Sequence, residues 1–134
     1  MENEGLFEGV LIESEVMNLM AAKRPVIYIC SKYRGDIEAN TKMARRYCRY
    51  ALDRGYIPIA PHLLLPQFVD EATERELALS AGIALLDQCC EELWVCGNEI
   101  SEGMAAELDH ADARNMKIRF VTEEDLECTQ SAKE

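Results

Sequence analysis

The chain holds six cysteines but no C-x-x-C pair, and its two histidines, His62 and His110, stand at no ligand spacing to any of them. Neither a zinc site nor a disulfide framework is indicated, and no metal or cofactor is expected. Cys30 and Cys96 sit inside apolar runs and Cys48 inside a helical pattern, as small buried residues of a reducing compartment do. Cys128, in the polar end of the chain, is the thiol expected to be reachable. No apolar run approaches the ~20 residues that cross a bilayer, so no membrane partner is expected. The opening Met1-Glu2-Asn3-Glu4 has no basic n-region, which argues against a secretory signal and for a soluble cytoplasmic protein. Basic residues are scarce: 14 against 25 acidic, a net charge of −11. Such a surface repels phosphodiester backbones and disfavours nucleic-acid polymers, yet it allows a small nucleotide gripped by one local arginine. Repeats and low-complexity linkers are absent.

What is present reads as one α/β domain, which 134 residues suffice to build. Residues 5–22 set Leu6, Phe7, Val10, Leu11, Met17 and Met20 at helical spacing, predicting an N-terminal helical extension over 1–22. The near-continuous apolar run Val26-Ile27-Tyr28-Ile29-Cys30 suits a parallel strand covered on both faces. A helix over about 37–54 follows, capped by Asp36 and ended by Gly55. Residues 56–60 predict a short strand that Pro58 assigns to an edge, and Pro61–Phe68 predicts an apolar, proline-bounded loop. A helix over about 72–89 opens with a capping-box pattern, Thr73 and Glu76. Gly82 inside it marks either a close approach or a tolerated weak residue. Strand 92–96, a helix over about 102–114, strand 117–121 and a frayed polar tail over 122–134 complete the order. Strands alternating with helices imply right-handed βαβ units and strand order 2-1-3-4. The fold class is a flavodoxin/Rossmann-like three-layer sandwich on a mostly parallel sheet of four to five strands.

In such sheets ligands bind outside the carboxyl ends of the strands, at the switch point. The loops leaving the first and third strands share that crevice and bring Ser31, Tyr33, Arg34, Gly35, Asn98, Ser101, Gly103 and Glu107 toward it, with His62 nearby. Arg34 offers a planar fork for phosphate or carboxylate, and the helix opened by Ser101 presents free N–H groups to an anion. Together they predict a small, polar, anionic ligand such as a nucleotide. Glu107, in the second turn of that helix, is a competent nucleophile toward an oxocarbenium-like sugar carbon if it is partly desolvated yet ionised. Pattern alone leaves the alternative open: a solvated glutamate, as Glu99 and Glu102 are read.

Tyr28-Ile29-Cys30-Ser31-Lys32-Tyr33-Arg34-Gly35 after the first apolar run, and Ser101-Glu102-Gly103-Met104-Ala105-Ala106-Glu107-Leu108 after the third, resemble the nucleoside 2-deoxyribosyltransferase superfamily. That group includes deoxynucleoside-monophosphate N-glycosidases. The match is nearer to a small branch carrying S-x-Y-R-G-D, a P-H-L-L run and an E-L-W-V…S-E-G-M-x-x-E ending, and it covers about residues 25–121. The resemblance implies a flavodoxin-like fold in homodimers or higher homo-oligomers that share active sites. It also implies Glu107 as nucleophile, Tyr28 as the tyrosine that orients it, Arg34 and Ser101 on the 5′-phosphate, and His62 as a histidine following the second strand. One departure stands out. Active members carry an aspartate on the helix before the third strand, where this chain has Ala84 and no acid nearer than Asp87.

Three functions are therefore weighed. The first is an N-glycosidase or 2-deoxyribosyltransferase-like enzyme acting on a nucleoside or nucleotide. The second is a non-catalytic nucleotide-binding or sensing module on the same fold. The third is a small interaction protein using the helix 5–22 and its acidic surface.

Overall fold

The computed structural model describes residues 23–133, with side chains through Cys128; the helix expected over 5–22 lies outside the described residues. Four strands, β1 (Val26–Cys30), β2 (Ile57–Ile59), β3 (Glu92–Cys96) and β4 (Lys117–Val121), form one sheet in the order β2-β1-β3-β4. Every pairing is parallel, and among the described residues the sheet has four strands, the lower of the two numbers expected. The order needs the crossover from β2 to β3 to pass over β1, which makes β1 and β3 the central pair and opens a crevice above their ends. Pro58 stands on the edge strand β2, where its missing donor leaves no gap inside the sheet.

Successive side chains of a strand point to opposite faces, and the core divides accordingly. Ile27, Ile29, Trp94, Cys96 and Val121 meet Tyr47 and Ala51 of α1 (Ile37–Asp53) on one face. Tyr28, Cys30, Leu93 and Val95 meet Leu86 of α3 (Arg75–Cys89) with Met104 and Ala111 of α4 (Glu102–Ala113) on the other. The result is a three-layer α/β/α sandwich. This alternation carries the Tyr28 hydroxyl to the α3/α4 face, where the candidate site is built.

Between β2 and α3 the structure departs from the sequence reading. Pro61–Leu64 is a short helix, α2, continued by a 3-10 turn over Leu65–Gln67, and not a plain loop. Pro61 stands in the first turn, where a missing N–H costs nothing and its fixed φ suits a helix. The Thr73/Glu76 capping box does not form, and α3 starts only at Arg75 with no side-chain cap. Asp70 takes over instead: its Oδ1 accepts from Ala72 N–H at 2.9 Å, its carbonyl accepts from Glu74 N–H at 2.7 Å, and its own N–H donates to Glu74 Oε1 at 2.9 Å. That local turn outcompetes the earlier start.

The tail is also different. Residues expected to fray form α5 (Glu123–Lys133). Thr122 and Asp125 cap it reciprocally, Asp125 N–H donating to Thr122 Oγ1 at 3.2 Å and Thr122 N–H to Asp125 Oδ2 at 2.8 Å. Leu126 is buried against Tyr47, Trp94 and Val121 and ties the helix to the core. Cys128 is exposed as expected, but so is Cys89, which ends α3 on its solvent side.

Candidate active site

Glu107 is the centre of the site. It lies in the second turn of α4, whose entry is fixed by Ser101: the serine Oγ accepts from Met104 N–H at 3.3 Å, and Ser101 N–H donates to the Met104 thioether at 3.4 Å. The helix buries Met104, Glu107 and Ala111, a three–four spacing that aims all three at the sheet. Glu107 is only 6% exposed. Its Oε2 accepts a hydrogen bond from the Tyr28 hydroxyl at 2.5 Å, across 79 residues of sequence. The Cys30 thiol stands between the Met104 carbonyl, 3.7 Å away, and the Glu107 carboxylate, with one S–H to give to either.

Burial raises the Glu107 pKa above the ordinary carboxylate value. Hydrogen bonds from Tyr28 and Cys30 oppose that shift, and the negative charge of Glu71 adds to it. Burial and the neighbouring carboxylate also push the Tyr28 phenol far up, so it stays protonated and always donates. A carboxylate held this way is stripped of most of its water yet fixed in orientation, which suits attack on an electrophilic carbon.

Gly82 of α3 makes the pair possible. A Cβ at this position would lie 2.9 Å from the Tyr28 hydroxyl and 3.5 Å from Glu107 Oε2. Of the two readings the sequence allowed, close approach is the correct one, and what approaches is the tyrosine oxygen.

Above Glu107 opens a cavity of about 250 Å³. Tyr33, Arg34 and His62 form one wall, Ser101 and Gly103 the start of α4, and Pro61, Leu65, Ala78 and Leu79 an apolar side. Tyr33 and His62 stack at 4.9 Å between ring centroids. Asn40 holds the Tyr33–Arg34 turn from below, its Nδ2 donating to both carbonyls at 3.0 Å. Burial lowers the His62 pKa, so the imidazole is neutral near pH 7. The Ser31 backbone opposes the shift, yet Nδ1 is buried without a hydrogen bond of good geometry. Arg34 is exposed at the mouth.

Of the sequence-predicted residues, the structure thus brings Tyr33, Arg34, His62, Ser101, Gly103 and Glu107 to one cavity, with Tyr28 directly beneath. Three do not belong to it. Ser31 and Asn98 line a second cavity of about 320 Å³ on the α1 side of the sheet, because alternation at the strand ends turns them to the other face. Asn98 Oδ1 there accepts from Glu123 N–H at 3.2 Å and caps α5. Gly35 lines neither cavity, and its φ of +101° serves the turn into α1. Asp87, the acid nearest the position of Ala84, points away. Its Oδ1 meets His110 Nε2 at 2.8 Å and Arg114 Nε at 3.3 Å on α4 and beyond. Among the described residues no group of three His, Cys, Asp or Glu side chains could hold a metal ion, and no helix is long and apolar enough to cross a membrane.

Residues 25–121 match the family described as a domain of unknown function, DUF7768. The chain belongs to that family. No curated protein matches it in sequence. The fold is similar to a solved structure titled 2-desoxiribosyltransferase from Leishmania mexicana, with a TM-score of 0.54 at 16% identity, covering 73% of this chain and 64% of that one. At that identity the likeness is one of fold. This chain spans less than two thirds of the neighbour's length.

Sequence reasoning missed Glu71 and Arg75, both on the cavity wall. Arg75 Nη2 lies 3.8 Å from Glu102 Oε1 at the rim. Nothing in local pattern set these two apart from other charged residues around the start of a helix. Only the crossover that lays α3 beside α4 gives them a site to face.

Proposed function

We propose that the protein is an N-glycosidase or 2-deoxyribosyltransferase-like enzyme acting on a small nucleoside or nucleotide, with Glu107 as nucleophile. One observation carries the reading: a buried glutamate, clamped by a tyrosine hydroxyl at 2.5 Å, at the floor of a cavity of nucleoside dimensions. A glutamate of a merely structural kind gains nothing from burial beside a second carboxylate. The fold shared with a deoxyribosyltransferase supports the same reading. In it, Arg34, Arg75 and the N–H groups at the start of α4 take an anionic group such as a 5′-phosphate, while Pro61, Leu65 and Ala78 cover the apolar face of a base. Tyr28 orients Glu107 and stabilises its ionised form. The protein works in the cytoplasm as a homodimer or higher homo-oligomer.

The decisive experiment incubates the protein with a panel of deoxynucleosides and deoxynucleotides and follows free base by chromatography. Base release that disappears in Glu107→Ala is the expected result. Release that persists unchanged in that variant removes Glu107 from the mechanism.

A second reading, a nucleotide-binding module without turnover, is favoured by Ala84 and by Asp87 being engaged with His110 and Arg114. Its signature is thermal stabilisation by nucleotides, lost in Arg34→Ala, with no base released by the wild type.

A further inference from the structure

We propose that Glu71 is the acid that protonates the departing base, supplied from the turn before α3 and not from the helix itself. This rests on the N-glycosidase reading and adds to it the residue that reading leaves unassigned. Breaking the C1′–N bond leaves an electron pair on a base nitrogen, and an unactivated base departs slowly unless a proton arrives as the bond breaks; such assistance is worth ~10²–10⁴-fold in rate.

The cavity presents three carboxylates: Glu71, Glu102 and Glu107. Glu107 receives the Tyr28 hydroxyl and is committed to the sugar carbon. Glu102 has a side chain 94% exposed, and it sits at the rim beside Arg75. Asp87 is turned toward His110. On the wall formed by Tyr33, Arg34 and His62, the imidazole is kept neutral by burial and is a poor proton source, and the Tyr33 ring is stacked against it. Glu71 is left. It is half-buried and lines the cavity. The Asp70-centred turn fixes the backbone around it through four hydrogen bonds. It thus faces the same cavity as the nucleophile from a different element, as a proton donor to the leaving group must.

The step balances. A Glu107 oxygen bonds to C1′ as the C1′–N bond breaks, and the electron pair passes to the base nitrogen, which takes the proton of the Glu71 carboxyl group. Water then attacks C1′ and gives a proton to the Glu71 carboxylate, and Glu107 leaves as a free carboxylate. One water is consumed, and base and sugar are released.

The test compares wild type, Glu71→Gln, Glu71→Asp and Glu107→Gln on a purine deoxynucleotide and on its N7-methylated form, whose cationic base departs as a neutral molecule without a proton. Far-UV circular dichroism checks folding of each. The expected result is a kcat for Glu71→Gln lowered ~10²–10⁴-fold on the unmethylated substrate and barely changed on the methylated one. Glu71→Asp should recover part of the rate. Glu107→Gln should fail on both substrates. Equal loss on the two substrates assigns Glu71 to binding or folding and overturns the proposal, as does no loss on either. If the wild type releases no base from any substrate, the parent reading falls and takes this one with it. A wild type that is active beside an unaffected Glu71→Gln sinks the present inference alone.

Discussion

Replacing Gly82 by alanine should destabilise the protein, against the ordinary rule for a helix interior. Alanine is favoured over glycine there by about 1 kcal/mol, so propensity alone predicts a gain. The structure reverses the sign. The added Cβ would lie 2.9 Å from the hydroxyl of Tyr28, which has no exposed surface and no space into which to swing. Either the side chains stay and strain of ~1–3 kcal/mol is stored, or Tyr28 shifts and a hydrogen bond to a charged partner, worth ~1.5–3 kcal/mol, is lost. After subtracting the propensity gain, a net loss of up to roughly 2 kcal/mol remains. For a chain of this size each kcal/mol moves Tm by about 3–5 °C, so the midpoint falls by up to roughly 10 °C. The sharper result comes from repeating the change in a Tyr28→Phe background. There the nearest neighbour becomes Glu107 Oε2 at 3.5 Å, an ordinary contact, and the propensity gain should reappear as a rise of a few degrees. Thermal unfolding of the four proteins gives the coupling directly. An identical shift from Gly82→Ala in both backgrounds would refute the claim that this glycine exists for the tyrosine oxygen.

Other consequences follow from the same contacts. Because the folded-state pKa of Glu107 is raised above its unfolded value, its contribution to stability is complete at low pH and is lost as pH rises through the folded pKa. Glu107→Gln should therefore raise Tm at pH 7 while leaving it little changed near pH 4; a lower Tm at pH 7 would contradict the raised pKa. Leu126→Ala removes a buried side chain from the Tyr47–Trp94–Val121 cluster and should cost ~2–4 kcal/mol in urea unfolding, a cost that a frayed tail would not show. Asp87→Asn weakens the contact with His110 and Arg114 and should lower stability by up to ~1 kcal/mol while leaving base release unchanged in the chromatographic assay.

Much of the fold was legible because its signals are periodic. Leu93-Trp94-Val95-Cys96 of β3 reads as an unbroken apolar run, and the strand is buried at every position, as one covered on both faces must be. Alternation of strands and helices then dictated the strand order before any side chain was located. The failures were local and electrostatic. Asp70 captured the backbone that the Thr73/Glu76 pattern claimed, and the reciprocal Thr122/Asp125 cap converted a polar segment into a helix. Both are competitions among short polar side chains for the same few N–H groups. Hydrophobic periodicity carries no information about which of them wins.

The site divides along the same line. Residues reaching the cavity from the strand-end loops and from α4 were legible wherever the chain's direction alone aims them, as for Arg34, Ser101 and Glu107. Ser31 and Asn98 were misassigned because a loop leaving the C-terminal end of a strand can serve either face of the sheet, and one residue of offset decides which. Glu71, Arg75 and Gly82 are the instructive cases. Each belongs to α3 or to the turn that leads into it, whose contribution depends on how far that helix slides along α4, a quantity fixed by packing and not by sequence pattern. Yet Gly82 was visible as an anomaly, an unfavourable residue in the interior of a well-formed helix. An element that accepts a penalty of ~1 kcal/mol at one position does so for something that comes close. Here that something is the hydroxyl that holds the candidate nucleophile.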